Sequence, residues 1–211
     1  VNNILQPLLN RIIPLYKEGR LTKAREDYWA AKAALAFGQE GKIDRGIFSI
    51  YFFNLLHLKK GEGIFQDAGL PHAYLEGQNV EIMASSDNVL RGGLTPKHID
   101  VRELLKHIKF EPAKINILTG KKMNGNEILF ETTAPDFLLS VFHLKEGQNI
   151  SFIASTAEIL LLTEGSVKVN DGNNSILLQQ GTPSAIIFAG QKAELSAVEN
   201  SAVFRASVPN H

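Results

Sequence analysis

Cysteine is absent from this 211-residue chain, tryptophan occurs once and methionine twice. Without cysteine there are no disulfides and no thiolate metal sites, so a zinc ion bound here would need nitrogen and oxygen ligands. The compartment stays open, although a reducing cytoplasm fits. An excess of one charge is lacking too. The 22 basic and 22 acidic residues cancel and are scattered, which leaves no basic stripe to neutralise a nucleic-acid backbone or an anionic membrane. No run approaches the roughly 18 apolar residues of a membrane span, and nothing near Val1 resembles a signal peptide. A soluble protein is expected, with neither nucleic acid nor membrane as partner. The chain opens at Val1 inside an apolar-periodic segment, as if cut from something longer.

At this length one large domain or two smaller ones can each bury a core. The stretch NNILQPLLNRIIPLYKEG carries apolar residues at Ile4, Leu5, Leu8, Leu9, Ile12 and Ile13, a spacing that predicts a helix stopped at Gly19 and limited by Pro7 and Pro14. In LTKAREDYWAAKAALAFGQEG, Thr22 is the expected N-cap, an alanine-rich body follows, and Gly38 marks the end. Tyr28, Trp29 and Phe37 on that helix read as core packing rather than a ligand-stacking box.

Beyond GKIDRGIFSIYFF the pattern changes to short apolar runs, NLLHLKKGEGIFQ, AYLEG and NVEIMAS, which read as strands with a turn at KKGEG. HIDVRELLKHIKF returns to helical spacing, with Asp100 as cap and Val101, Leu104, Leu105 and Ile108 on one face. From about Phe110 the chain is a series of short strands: EILFET, FLLSVFHL, ISFIAS, EILLLTEG, SVKVN, SILLQQG, SAIIFAG, AELSAV and AVFRASV. Asp171-Gly172 supplies a hairpin turn with both residues able to take positive φ. With no crossover helices, this predicts a closed jelly-roll-like sandwich.

The polar chemistry concentrates in GLPHAYLEGQNVEIMASSDNVLRGGLTPKHIDV, residues 69–101. His72, behind a proline in a turn, is placed either to ligate zinc or to stand as a polar loop residue. No second ligand lies at i+2 or i+4, and His57, His98, His107, His143 and His211 are scattered. Glu81 alternates with Val80 and Ile82, which makes it a barrel-interior acid if that face turns inward and a solvated carboxylate if outward. Arg91 and Lys97, with Asp87-Asn88 nearby, flank Gly92-Gly93 in a turn-rich loop. Two cations there suit a phosphate or an enediolate-like anion, and surface charge is the other reading.

The segment GEGIFQDAGLPHAYLEGQNVEIMASSDNVLRGGLTPKHIDV closely resembles type I phosphomannose isomerases, also called mannose-6-phosphate isomerases. It departs from the family pattern mainly in Gly92, where alanine is usual, and Ile82, where cysteine is frequent. The resemblance implies a mainly β fold of two cupin-like jelly rolls with a helical insertion. It also implies zinc-dependent aldose-ketose isomerisation of mannose 6-phosphate and fructose 6-phosphate through an enediolate. His72 matches a zinc ligand and Arg91 the active-site arginine, while Tyr74, Glu81 and Lys97 match pocket residues. Lys97 and Glu81 are the candidates for the base.

The family's other zinc ligands are a Gln-x-His pair and a glutamate upstream of the helical insertion, and this chain contains no Gln-x-His. The resemblance therefore covers only the C-terminal part of the family's length. Residues 1–45 read as part of the helical insertion, 46–109 as the C-terminal part of the catalytic cupin, and 110–211 as a complete, metal-free cupin-like domain. Such a chain is expected to be nearly inactive alone, to bind zinc poorly, and to expose strand edges through which it could dimerise. A non-catalytic sugar-phosphate-binding or regulatory cupin is the alternative, and a structural interaction module a third.

Overall fold

A computed structural model describes residues 1–38, 42–86, 89–123 and 126–209. The chain divides into two compact units: Val1–Lys59, Gln66–Asn79 and Ser86–Lys114 make the first, and Lys60–Phe65, Val80–Ser85 and Ile115–His211 the second.

The first unit is built on helices α1 (Asn2–Lys17), α2 (Glu26–Phe37), α3 (Ile47–Phe52) and α4 (Val101–His107). Leu5, Leu9 and Ile12 form the buried stripe of α1 and pack with Trp29, Ala30 and Ala31 of α2 and with Ile47 and Ile50 of α3. Pro7 and Pro14 do not limit α1, contrary to the sequence expectation; both lie inside it. Burying three large aliphatic side chains, at about 1.5–3 kcal/mol each, offsets interior prolines at roughly 3 kcal/mol each. Gly19 follows the helix with φ +69°, as a stop signal should.

Thr22 is not the cap of α2. Arg25 occupies that position without a side-chain bond, and the Thr22 carbonyl instead accepts from the Arg25 amide in a turn. The helix begins on Glu26 and Asp27, whose charges favour its positive end. Gly38 ends it as expected, in an extended conformation. Trp29 is core and Tyr28 packs against it, whereas Phe37 is exposed, a second correction. Tyr51 donates to Asp27 Oδ1 at 2.8 Å; burial and then this bond raise the phenol pKa well above its usual value. Asp100 caps α4 as expected, accepting from the Glu103 amide at 3.0 Å, but the apolar face of α4 is not buried. Among the described residues no helix is long and apolar enough to cross a membrane.

The second unit holds β1 (Gly63–Ile64), β2 (Ile117–Leu118), β3 (Lys121–Lys122), β4 (Glu127–Phe130), β5 (Leu138–Leu144) and β6 (Asn149–Ile153). It continues through β7 (Glu158–Glu164), β8 (Val167–Asn170), β9 (Ser175–Leu178), β10 (Ser184–Ile187), β11 (Lys192–Ala197) and β12 (Ser201–Ser207). A six-stranded sheet runs β10-β7-β12-β5-β4-β3, a four-stranded sheet β6-β11-β8-β9, and β1 pairs with β2. The pairings are nested: β8 with β9, β7 with β10, β6 with β11, β5 with β12, all antiparallel. A long hairpin wrapped over two sheets in this way is a jelly roll, as the strand series predicts.

Period-two alternation turns Leu160 and Leu162 of β7, Val167 and Val169 of β8, and Leu195 of β11 into the common core. The β8–β9 turn differs in detail from expectation. Only Gly172 takes positive φ, while the Asp171 carboxylate accepts from the amides of Asn173 and Asn174 at 2.9 and 2.6 Å.

The N-terminal strand expectations fare otherwise. Of NLLHLKKGEGIFQ only Gly63–Ile64 is a strand, and no described residue from Phe65 to Asp100 belongs to a helix or strand. AYLEG and NVEIMAS form no strand, and the first bends at Glu76-Gly77. Extended sequence becomes a strand only where a neighbouring backbone completes the ladder. Residues 80–85 still alternate, with Val80, Ile82 and Ala84 half-buried and Glu81, Met83 and Ser85 exposed. No described residue from Tyr51 to Leu129 is buried.

Candidate functional site

In the first unit, residues 71–79 form an exposed loop. It carries His72, whose Nδ1 lies 3.1 Å from the Leu70 carbonyl, and Tyr74, which meets the imidazole edge to face with ring centroids 5.9 Å apart. The loop is tied down by Glu76. One carboxylate oxygen binds Lys23 Nζ and the other lies 2.7 Å from Lys32 Nζ. These two bonds hold the Glu76 carboxyl at about 2, well below the usual carboxylate range.

Arg91, half-buried, and Lys97, exposed, share the second loop of the same unit. The Lys97 amide donates to Thr95 Oγ1 at 3.2 Å. A carboxylate strut fixes this loop, since Asp44 Oδ1 accepts from the Gly46 amide at 2.7 Å and Oδ2 from the Leu94 amide at 3.2 Å. Leu94 holds φ +49° and packs into the helical core. Gly93, with φ +149°, sits so close to Gly46 that an added Cβ would stand 2.9 Å from the Gly46 Cα.

His72 and Tyr74 are thus brought together, and Arg91 and Lys97 share a loop braced on Asp44. Glu81 belongs to the second unit and is exposed, the outward of its two alternatives. Asp87 and Asn88 lie outside the described residues. Among the described residues no three His, Asp or Glu side chains gather to hold a metal ion.

Sequence reasoning missed Asp44 and Glu76. Asp44, three residues before α3, carried an Asx-turn signal in KIDRGIF. The partners of Glu76 are 53 and 44 residues away, and no local pattern announces them.

No protein-family model matches the chain. It is 40% identical over 149 residues to the mannose-6-phosphate isomerase of Escherichia coli (strain K12), a match covering 70% of this chain and 38% of that protein. The chain is a relative of the mannose-6-phosphate isomerases. The Mus musculus mannose-6-phosphate isomerase is 37% identical over 160 residues, 74% of this chain and 34% of that one. A mutant phosphomannose isomerase from Salmonella typhimurium superposes with TM-score 0.68 at 30% identity, over 95% of this chain and 56% of that structure. A second Salmonella typhimurium mannose-6-phosphate isomerase structure, bound to fructose 6-phosphate and zinc, gives TM-score 0.59 at 26% identity over 96% and 55%. The chain spans well under half the length of these curated relatives.

Proposed function

We propose that this chain carries one part of a mannose-6-phosphate isomerase active site, in a protein that interconverts mannose 6-phosphate and fructose 6-phosphate through an enediolate. The observation that carries the reading is the 40% identity with the Escherichia coli relative over 149 residues. The zinc and fructose 6-phosphate in a neighbouring structure agree with it.

In this reading His72 is one zinc ligand, but the donor set present does not fit a complete zinc site. One exposed imidazole cannot hold a tetrahedral ion, and among the described residues no other donors join it in a metal-holding group. The chain's own share of the chemistry then lies with its cations. Arg91 offers a planar fork to the phosphate or to the enediolate oxygens, and Lys97 a point charge on the same braced loop. Tyr74 stands beside His72 as a substrate-binding residue in this reading, and Lys97 and Glu81 are each a candidate for moving the proton between C1 and C2. Every one of these side chains lies between Tyr51 and Leu129, where no described residue is buried. That leaves surface for another polypeptide to cover.

With added zinc the purified chain is expected to form no measurable fructose 6-phosphate from mannose 6-phosphate. A chimera in which it replaces the matched region of the Escherichia coli relative is expected to bind zinc and to turn over, and Arg91→Ala in the chimera to abolish turnover while zinc stays bound. Robust turnover by the chain alone overturns the half-site reading. A folded chimera without zinc or activity overturns the isomerase reading.

A further inference from the structure

We propose that Glu76 is a positioning residue that, gripped by Lys23 and Lys32, fixes the loop bearing His72 and Tyr74 to the helical segment. The proposal rests on the functional reading above for the importance of that loop, but its geometry stands apart from it.

Nothing in residues 71–79 is buried, helical or in a strand, so core packing does not set the loop's place. Glu76 reaches across instead, using both carboxylate oxygens on two different lysines. Exposed ion pairs usually contribute little, because two long side chains must be ordered to make one contact. Here a single buried ring holds the backbone of one lysine and the ammonium of the other. The Lys23 carbonyl accepts from Trp29 Nε1 at 2.8 Å, and the Lys32 ammonium lies 5.2 Å over the Trp29 ring. Trp29 is in turn braced edge to face by Tyr28, and Tyr28 by Tyr16, each at 5.0 Å. The loop is therefore tied to a platform on which the Lys23 backbone and the Lys32 ammonium are already placed, which lowers the ordering cost of the grip.

Among the described residues Lys23, Lys32 and Tyr16 act on Glu76, and Tyr28 acts on both lysines. Hydrogen bonding to Glu76 raises both lysines, so the cations persist through the physiological range and the carboxylate is the group that lets go. Its folded pKa is about 2 against an ordinary 4.5. The grip is complete above the ordinary value and is lost as pH falls from there through about 2.

The lone tryptophan and the absence of cysteine provide the test. A dansyl acceptor on Gln78→Cys reads the distance from the loop to Trp29 by time-resolved energy transfer in the full chain. At neutral pH one narrow distance distribution is expected. Glu76→Gln, or Lys23→Gln with Lys32→Gln, is expected to broaden it with the far-ultraviolet circular dichroism unchanged. In the unsubstituted chain the same broadening is expected as pH falls from about 4.5 toward 2, and the Glu76→Gln chain should show no such profile. An equally narrow distribution in Glu76→Gln, or one insensitive to acid, overturns the proposal. In the chimera, Glu76→Gln is expected to weaken zinc binding, because the loop bearing His72 is then held less firmly. A chimera that never binds zinc counts against the functional reading and leaves the energy-transfer result to decide the clamp.

Discussion

Glu158→Ala is expected to lower the stability of the jelly roll by about 3–5 kcal/mol, the range for removing one partner of a buried ion pair. Glu158 is fully buried, on the inward face of β7 with Leu160 and Leu162. Its Oε2 accepts from Arg205 Nε at 2.6 Å and its Oε1 from Arg205 Nη2 at 2.8 Å, a two-point match of planar groups. The Ser155 amide adds a third bond at 3.3 Å. Arg205 also donates to Glu127 at 3.3 Å and lies 4.3 Å over the Phe152 ring.

Burial works against the arginine's charge, yet the bonds and charges of Glu158 and Glu127 win, and its pKa is raised. Removing Glu158 leaves a desolvated cation short of a carboxylate. Removing both ends, as Glu158→Met with Arg205→Met, should cost less than the sum of the single changes, because apolar side chains of similar volume can replace a buried pair. Urea unfolding measures all three. A single-substitution loss below about 1 kcal/mol would place this pair with exposed ones.

Gly93→Ala and Gly92→Ala, one residue apart, are expected to act with opposite signs. At Gly93 a Cβ meets the Gly46 Cα at 2.9 Å and Asp44 Oδ1 at 3.3 Å, with φ at +149°. Backbone cannot yield as a flexible side-chain tip does, so the strut from Asp44 to Leu94 must open. A loss of about 1–3 kcal/mol follows from the backbone strain alone, and the loop carrying Arg91 and Lys97 loses its brace. At Gly92 the Cβ would find Leu104 Cδ2 at 3.7 Å, an ordinary contact. Alanine there should stabilise by about 0.4–1 kcal/mol through the unfolded chain. Thermal unfolding of the two variants checks the signs, and equal shifts would refute the account.

The C-terminal jelly roll was legible because strands such as β7, β8 and β11 are amphipathic within themselves and find their partners inside the chain. Leu160, Leu162, Val167 and Val169 alternate with exposed or half-buried neighbours, and the hairpin at Gly172 is written in local turn chemistry. The same alternation held the buried ion pair in view, since Glu158 is in phase with Leu160 and Arg205 with Val203. A charge in phase with a core was the signal that went unread.

NVEIMAS failed as a strand for the opposite reason. Its alternation is present, but pairing is a property of two segments, and the sequence of one does not supply the other. The prolines of α1 failed through tertiary burial, which a local helix rule does not weigh. Of the site, His72, Arg91 and Lys97 stand out by residue type in a loop rich in turn formers. Asp44 and Glu76, which hold those loops in place, do so through contacts distant in sequence.

The nested pairing of the jelly roll has a further consequence. Its outermost pair joins β5 to β12, with Leu138 opposite Ser207, and β4 and β3 then extend the same sheet beyond β5. Those two strands are an addition to a closed plan, and they cover a β5 edge whose open N–H and C=O groups would otherwise invite a foreign strand.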